Sequence, residues 1–99
     1  MLTSKQRAYL RSKATKIEPV LMIGKGGASP EVVESANEAL EARELIKAKV
    51  LDNCFEDIRE IAHTIAERTR SDVVAVIGRK FVLFRKAKEK SAFEDMPKN

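Results

Sequence analysis

The residues most suited to binding chemistry lie in the segment 23–30, Ile-Gly-Lys-Gly-Gly-Ala-Ser-Pro. Three glycines within four positions permit positive φ and let another molecule approach the backbone closely: Gly24, Gly26 and Gly27. Ser29 is a good helix N-cap and Pro30 suits the first helical position, so the segment leads into a helix N-terminus. The unpaired N–H groups of such a terminus, together with Lys25, predict a site for phosphate or another anion. A tight strand-to-helix connection without a ligand is the alternative, and the loop chemistry alone leaves both open.

Two more specific phosphate-binding motifs do not fit this segment. A P-loop requires Gly-x-x-x-x-Gly-Lys-Ser/Thr, and the chain contains no such run. A dinucleotide fingerprint that started at Gly24 needs a glycine at the position that Ser29 occupies. The pattern that remains is Gly-x-x-Gly over positions 24–27, which by itself has low specificity.

Residues suited to catalysis or metal binding are scarce in this sequence. There is one histidine, His63, which points away from its helix's apolar stripe, and one cysteine, Cys54, with no second sulfur nearby. The second helix carries a regular row of acids, and a solvated face explains it better than an acid–base or metal site: Glu31, Glu34, Glu38, Glu41 and Glu44. No nucleophile–base pair is present, so a small enzyme acting on phosphorylated substrates is the least favoured hypothesis. We expect no enzymatic activity, no cofactor and no metal.

The elements that position the glycine segment follow from hydrophobic periodicity and capping residues. Strands are predicted over 20–23, 45–51, 73–77 and 81–84, and helices end near residues 14, 43 and 68. Thr3 with Gln6, and Asn53 with Glu56, have the spacing of capping boxes that open the first and third helices. The unbroken apolar run 20–23 predicts a strand covered on both faces, and the β-branched run 73–77 predicts a central strand.

Length and composition indicate a single small intracellular domain. The 99 residues are 43% hydrophobic, enough to bury one core. Cys54 alone cannot form an internal disulfide and fits a reducing compartment. No apolar run approaches transmembrane length, and residues 1–16 lack a secretory h-region. We expect a soluble, cytoplasmic monomer that does not bind membranes, with one domain over residues 1–90 and a flexible C-terminal tail over 91–99.

Charge is segregated along the chain. Residues 1–27 hold six Lys/Arg and one acid (+5), residues 28–72 hold six and eleven (−5), and residues 73–90 hold six and one (+5). If the fold brings the two basic ends together, one face becomes positive and the opposite face negative, which is typical of polyanion-binding proteins. Lysines that only maintain solubility are the alternative.

The order of elements and four of the runs resemble the CRM domain family, named for chloroplast RNA splicing and ribosome maturation. The runs that carry the resemblance are 2–7 (LTSKQR), 19–27 (PVLMIGKGG), 44–50 (ELIKAKV) and 76–85 (VIGRKFVLFR). One CRM domain standing alone is similar to the bacterial YhbY-type proteins. The resemblance implies an α/β fold of the α+β two-layer type, similar to the C-terminal domain of translation initiation factor 3. In that fold an N-terminal helix precedes β-α-β-α-β-β, and a four-stranded mixed sheet packs with helices.

The resemblance also implies RNA binding and association with precursors of the large ribosomal subunit. In the family, the Gly-x-x-Gly loop and the adjoining basic surface are the expected RNA contact, here Gly24, Lys25, Gly26 and Gly27. From charge we add these residues: Lys5, Arg7, Arg11, Lys13, Arg79, Lys80 and Arg85. KH domains also place a Gly-x-x-Gly loop on RNA, but between two helices, whereas this loop follows a strand.

Recognition is expected to rest on RNA shape and backbone, with a steep salt dependence. Most of the five aromatic residues suit the core, so we expect no base-stacking platform. The alternative hypothesis is a protein–protein adaptor that docks a basic ribosomal protein on the acidic face of the second helix, at Glu34, Glu38 and Glu41.

Overall fold

The computed structural model describes residues 2–98. Seven elements follow one another along the chain: α1 (Ser4–Ala14), β1 (Pro19–Ile23), α2 (Pro30–Arg43), β2 (Leu45–Val50), α3 (Ile58–Thr69), β3 (Asp72–Ile77) and β4 (Lys80–Phe84). The predicted order, an N-terminal helix followed by β-α-β-α-β-β, is confirmed. No helix within residues 2–98 combines the length and the apolar character needed to cross a membrane.

The four strands form one mixed sheet in the order β1-β2-β4-β3. β1 and β2 are parallel because α2 carries the chain back between them, whereas β4 is antiparallel to both of its neighbours. As a result, the C-terminal ends of β1, β2 and β3 lie beside the N-terminal end of β4. We call this end of the strands the loop end of the sheet, because the glycine segment leaves β1 there.

α2 and α3 cover one face of the sheet. The fully buried side chains between them include Leu40 from α2, Ile61 and Ile65 from α3, and Ile46 and Phe81 from the sheet. The predicted alternation in the second strand is confirmed, since Ile46, Ala48 and Val50 are buried while Lys49 is exposed.

α1 covers part of the opposite face and adds a third layer there. Leu10 and Ala14 of α1 pack with Leu45, Val82 and Phe84 of the two central strands. The predicted capping box opens this helix: the Gln6 N–H donates to Thr3 Oγ1 at 3.1 Å, and the Thr3 N–H donates to Gln6 Oε1 at 3.0 Å.

Two predictions about strand burial are wrong. β1 is an edge strand with only one face covered, since Val20 and Met22 are 41% and 51% exposed. β3 is the other edge strand rather than a central one, and its Ile77 is 58% exposed. An apolar run shows that a segment prefers extended structure, but it does not show how many neighbours cover it.

The start of the third helix also differs from the prediction. α3 begins at Ile58 and is capped by Asp57, whose Oδ1 accepts from the N–H groups of Arg59 at 2.8 Å and Glu60 at 3.3 Å. The capping box expected at Asn53 and Glu56 is therefore wrong, because an equally good N-cap residue stands one position after Glu56.

Glu44 is not part of the exposed acidic row of α2. The residue after the helix takes φ = +65°, and this turn directs its side chain inward, where it is buried. Its carboxylate accepts from the Ala87 N–H at 2.9 Å, the Ala92 N–H at 2.7 Å and the Ser91 hydroxyl. Glu44 thus holds the segment that follows β4 against the end of α2.

The C-terminal segment contacts the folded domain. The Phe93 ring packs edge-on against Phe84, with centroids 5.4 Å apart. Gln6 of α1 donates to the Pro97 carbonyl at 2.9 Å, and the Tyr9 hydroxyl donates to Asp95. These contacts place residues 91–97 along α1, while the flexibility expected for residues 91–99 stays a prediction.

Candidate nucleic-acid interface

The glycine segment forms a β-turn at the loop end of the sheet. The Gly27 N–H donates to the Gly24 carbonyl at 3.0 Å, which closes a four-residue turn after β1. Lys25 and Gly26 occupy the two corner positions and are both exposed. Within residues 2–98, neither of their backbone N–H groups has an acceptor. The tip of the turn therefore presents one ammonium group and two backbone donors to solvent.

Only one of the three glycines is required by the backbone. Gly27 has φ = +58°, and a Cβ there would overlap Glu56 Oε2. Gly26 has no positive φ, and the nearest atom to an added Cβ is that of Ser29 at 3.9 Å. The backbone of the turn could therefore accept a side chain at position 26. Because Gly26 has none, there is space above the exposed tip that a ligand can occupy.

The start of α2 contributes less positive potential than the sequence suggests. Ser29 Oγ accepts from the Val32 N–H at 3.3 Å, so the predicted N-cap is confirmed and one donor of the helix end is used. Glu31 in the first turn and Glu56 beside Gly27 bring two carboxylates to this end of the helix. We therefore assign the capacity for anion binding to the tip of the turn rather than to the helix dipole.

Three lysines extend the capacity for anion binding over the part of the sheet face that α1 does not cover. Lys49 of β2 stands directly opposite Lys80 of β4, and Lys47 stands opposite Val82 on the same face. Like charges at directly opposed positions destabilise a sheet unless a counter-charge is supplied. Within residues 2–98, the only ion pairs are Arg79–Asp52 and Arg85–Glu41, so no carboxylate of the protein neutralises the lysines.

α1 brings further cations to the same face. Arg11 lines a shallow groove together with Lys47, Ile77 and Val82, beside the open part of the sheet. Arg7 lies nearer the opposite end, where its guanidinium donates to the Val73 carbonyl at 3.4 Å.

The remaining cations of α1 are exposed. Lys5 lies in the first turns of the helix, and the Lys13 ammonium stands 5.4 Å from the centre of the Tyr9 ring. The structure thus places Arg11, Lys47, Lys49 and Lys80 on the α1 face of the sheet, and Lys25 on the turn at the adjoining loop end. Lys47 and Lys49 were not among the predicted site residues.

Arg79 supports the loop instead of presenting a free charge. Its guanidinium donates to three carbonyls, those of Val50 at 3.1 Å, Leu51 at 2.6 Å and Cys54 at 3.1 Å, and lies 3.6 Å from Asp52. These bonds fix the connection between β2 and α3, which lies next to the glycine turn. The sequence could not predict this role, because an arginine in a turn looks the same in a sequence whether it binds a ligand or the protein's own backbone.

Arg85 lies at the other end of β4, away from the glycine turn. It donates to the carbonyls of Thr69 at 2.7 Å and Asn37 at 3.2 Å, and its guanidinium pairs with Glu41 at 3.0 Å. The negative end of a helix dipole also stabilises a cation near the C-terminus of the helix, as Arg85 is near the C-terminus of α3. The structure does not bring Arg85 together with the other predicted site residues.

The acidic face of α2 lies across the sheet from the lysines. Glu31, Glu34, Glu38 and Glu41 are exposed on this helix, which packs on the sheet face opposite α1. The two basic ends of the sequence meet in the structure, because α1 packs against both β3 and β4. The acidic row of α2 and the sheet lysines therefore lie on opposite sides of the sheet. Lys80 of the basic segment 73–90 joins the lysines, whereas Arg85, Lys86 and Lys88 lie beside Glu41 of α2, so the fully basic face stays a prediction.

The pKa values of three groups in or against the C-terminal segment are shifted. The hydrogen bond from the Tyr9 hydroxyl lowers the pKa of the Asp95 carboxyl, and the same bond raises the pKa of Tyr9. Burial alone would raise the pKa of Glu44, but the donors of Ala87, Ser91 and Ala92 outweigh it and lower the pKa. None of these groups lies on the glycine turn, so they concern stability rather than binding.

The profile of the CRS1 / YhbY (CRM) domain family matches residues 2–85. The chain belongs to this family. The "Probable RNA-binding protein YqeI" of Bacillus subtilis is 45% identical to this CRM domain over 94 residues, which cover 95% of the chain and 98% of the relative. An RNA-binding protein of Haemophilus influenzae is 34% identical and covers 89% of each chain. The solution structure of the protein SAV1595 from Staphylococcus aureus superimposes with a TM-score of 0.80 at 48% identity, covering 92% of this chain and 95% of that one.

Proposed function

We propose that this CRM domain binds RNA through the surface formed by the turn tip at Lys25 and Gly26, the lysines Lys47, Lys49 and Lys80, and Arg11. The observation that carries the proposal is the turn tip, with its exposed ammonium, its two unused backbone donors and the space above Gly26. The relatives named as RNA-binding proteins support the same class of ligand.

The geometry of the surface favours contacts to phosphates. Lysine ammonium groups and backbone N–H groups contact phosphate oxygens, and such contacts provide affinity with little sequence information. The opposed Lys49 and Lys80 gain most from a polyanion, since it supplies the counter-charge that the protein lacks. The acidic face of α2 repels RNA, so binding is directed to one side of the molecule.

We further propose that the RNA is a precursor of large-subunit ribosomal RNA and that the protein assists ribosome assembly. This step rests on the resemblance to stand-alone bacterial CRM proteins. The test is binding of the purified protein to large-subunit ribosomal RNA fragments and to an unrelated structured RNA across a salt series. Tight binding to one ribosomal fragment with a steep salt slope supports the proposal, and equal weak binding to all RNAs contradicts the ribosomal assignment.

A second candidate function is docking of a basic ribosomal protein on α2. The observation in its favour is the exposed position of Glu34 and Glu38, which lie on the face away from the lysines. Charge reversal at these two residues separates the candidates, because it should abolish ribosomal association only if the acidic face is the contact. Glu41 is left unchanged in this variant because it pairs with Arg85.

A further inference from the structure

Phe55 is the one large apolar side chain in residues 2–98 that is almost fully exposed. It is 95% exposed, whereas Phe81 and Phe84 lie in the core. Phe93 packs on Phe84, and the Tyr9 hydroxyl is bonded to Asp95. Transfer of the apolar surface of an exposed aromatic ring from water into contact with a ligand is favourable.

The backbone on both sides of Phe55 is held in place. Cys54 is buried in the core, its N–H donates to the Leu51 carbonyl at 3.0 Å, and its carbonyl accepts from Arg79 at 3.1 Å. Two residues after Phe55, Asp57 caps α3. The exposed ring therefore stands on a fixed backbone, so little conformational entropy is lost when a ligand contacts it.

The segment that carries Phe55 flanks the glycine turn. The Leu51 N–H donates to the Ile23 carbonyl at 2.8 Å, immediately before the turn. The Asn53 side chain lies 3.4 Å from the position of an added Cβ on Gly24, and the Glu56 carboxylate abuts Gly27. Contacts on either side of Phe55 in the sequence thus reach both ends of the turn.

We propose that the Phe55 ring stacks on an unpaired nucleobase of the RNA whose backbone lies on the tip at Lys25 and Gly26. This inference rests on the proposed function and adds a base contact to it. Aromatic side chains beside a cationic groove are a recurring way to hold single-stranded nucleic acid, and they accept any base because every base has a π-face. RNA in a continuous duplex cannot offer such a base, so the preferred RNA contains a single-stranded loop, bulge or end.

The charges around Phe55 favour a base over a phosphate at this position. Glu56 and Asp57 are exposed on the same segment, and within residues 2–98 neither forms an ion pair, so they repel a phosphate placed against it. A nucleobase carries no charge and meets the ring without that penalty. Lys25 lies on the neighbouring turn, so we expect the phosphate to contact the turn and the base to contact the segment that carries Phe55.

The test uses the absence of tryptophan from this sequence, which makes Phe55→Trp the only tryptophan in the chain. The probe is a short single-stranded oligoribonucleotide, compared with the same strand carrying abasic positions and with a duplex. We expect Phe55→Trp to bind the intact strand as the wild type does, with strong quenching of its fluorescence by the stacked base. We expect Phe55→Ala to lower the affinity by about 5- to 100-fold, with the salt slope unchanged because no charge is removed. Abasic and duplex RNAs should show neither the quenching nor the effect of Phe55→Ala.

The matched control is Val20→Ala, which removes an exposed apolar side chain at the start of β1, away from the glycine turn, and should leave the affinity unchanged. Wild-type affinity of Phe55→Ala for single-stranded RNA, with Lys25→Ala impaired, overturns the stacking contact and leaves the proposed function intact. Absence of RNA binding by the wild type overturns both. If Phe55→Ala alters only the molecular mass in sedimentation, the ring is a contact between copies of the chain, and the inference is wrong.

Discussion

The Arg79 guanidinium donates a 2.6 Å hydrogen bond to the Leu51 carbonyl, and so ties the β3–β4 turn to the segment beside the glycine turn. Arg79→Lys retains the charge but cannot reproduce three separate donations, since an ammonium lacks the planar fork. We expect it to lower the free energy of unfolding by about 1–2 kcal/mol, because the side chain is partly exposed to water. Urea unfolding measures this effect, and a wild-type midpoint for Arg79→Lys would show that the bonds are not structural.

Gly26→Ala should separate binding from folding. The backbone at this position has no positive φ and space surrounds the added methyl group, so the unfolding free energy should change by less than about 0.5 kcal/mol. RNA affinity should fall, because the methyl group occupies the space above the turn tip. Unchanged RNA affinity in this variant would remove close approach at Gly26 from the proposed surface.

Gly27→Ala should have the opposite character. Its left-handed conformation costs a non-glycine residue about 1–2 kcal/mol, and the new methyl group also displaces the flexible Glu56 side chain. We expect a lower thermal midpoint for Gly27→Ala than for Gly26→Ala, measured by circular dichroism. Equal midpoints would contradict the conformational difference between the two glycines.

Glu44 should make the stability of the fold depend on pH in the acid range. Its pKa is lowered in the folded state, so its contribution is complete above its unfolded pKa of about 4.3 and is lost as the pH falls through the folded pKa. Glu44→Gln removes the charged acceptor and should lower the free energy of unfolding by about 2 kcal/mol at neutral pH. The difference in unfolding free energy between wild type and variant should shrink as the pH falls.

Unfolding by urea at several pH values measures this dependence. The control is Glu38→Gln, which alters an exposed carboxylate of α2 and should leave the curve of stability against pH nearly unchanged. A constant difference between wild type and Glu44→Gln from neutral to acid pH would contradict the role of the ionised carboxylate.

Phe93→Ala should release the C-terminal segment from the domain. The edge-on contact with Phe84 is worth about 0.5–1.5 kcal/mol beyond the apolar area that it buries. We expect faster proteolytic cleavage after residue 90 in the variant than in the wild type. Equally rapid cleavage of both proteins would mean that the segment is mobile in the wild type, as the sequence predicts.

The features of the fold that the sequence predicts correctly are those with local causes. The stripe of Ile61, Ile65 and their neighbours in α3, and the capping box of Thr3 and Gln6, depend on spacings within a few residues. The order of elements follows from them. The edge positions of β1 and β3 depend on which strands pair across the sheet, and an apolar run carries no such information.

The sequence predicts the centre of the candidate site better than its surroundings. The turn chemistry of Gly24 to Gly27 is local, so the motif places it correctly between β1 and α2. Arg79, Arg85 and Glu44 are charged residues that the fold uses internally, and only the three-dimensional structure distinguishes them from free surface charges. The sequence does not predict the exposure of Phe55, because a helix that started at Asn53 would include this residue in α3.

The central claim is tested most directly by removing three charges from the proposed surface. The variant Lys25→Ala, Arg11→Ala, Lys49→Ala is compared with a control that removes three exposed cations elsewhere, Arg43→Ala, Arg68→Ala, Lys88→Ala. Both variants have the same net charge, so a difference between them reports position rather than total charge.

The measurement is the affinity for one structured RNA across a salt series, with the fold of each variant checked by circular dichroism. The surface variant should bind more weakly, and the slope of log K against log salt should fall by about 1 for each phosphate that the variant no longer binds. The control should change the affinity far less. Equal affinities and equal slopes for the two folded variants would contradict binding through the turn and the sheet lysines.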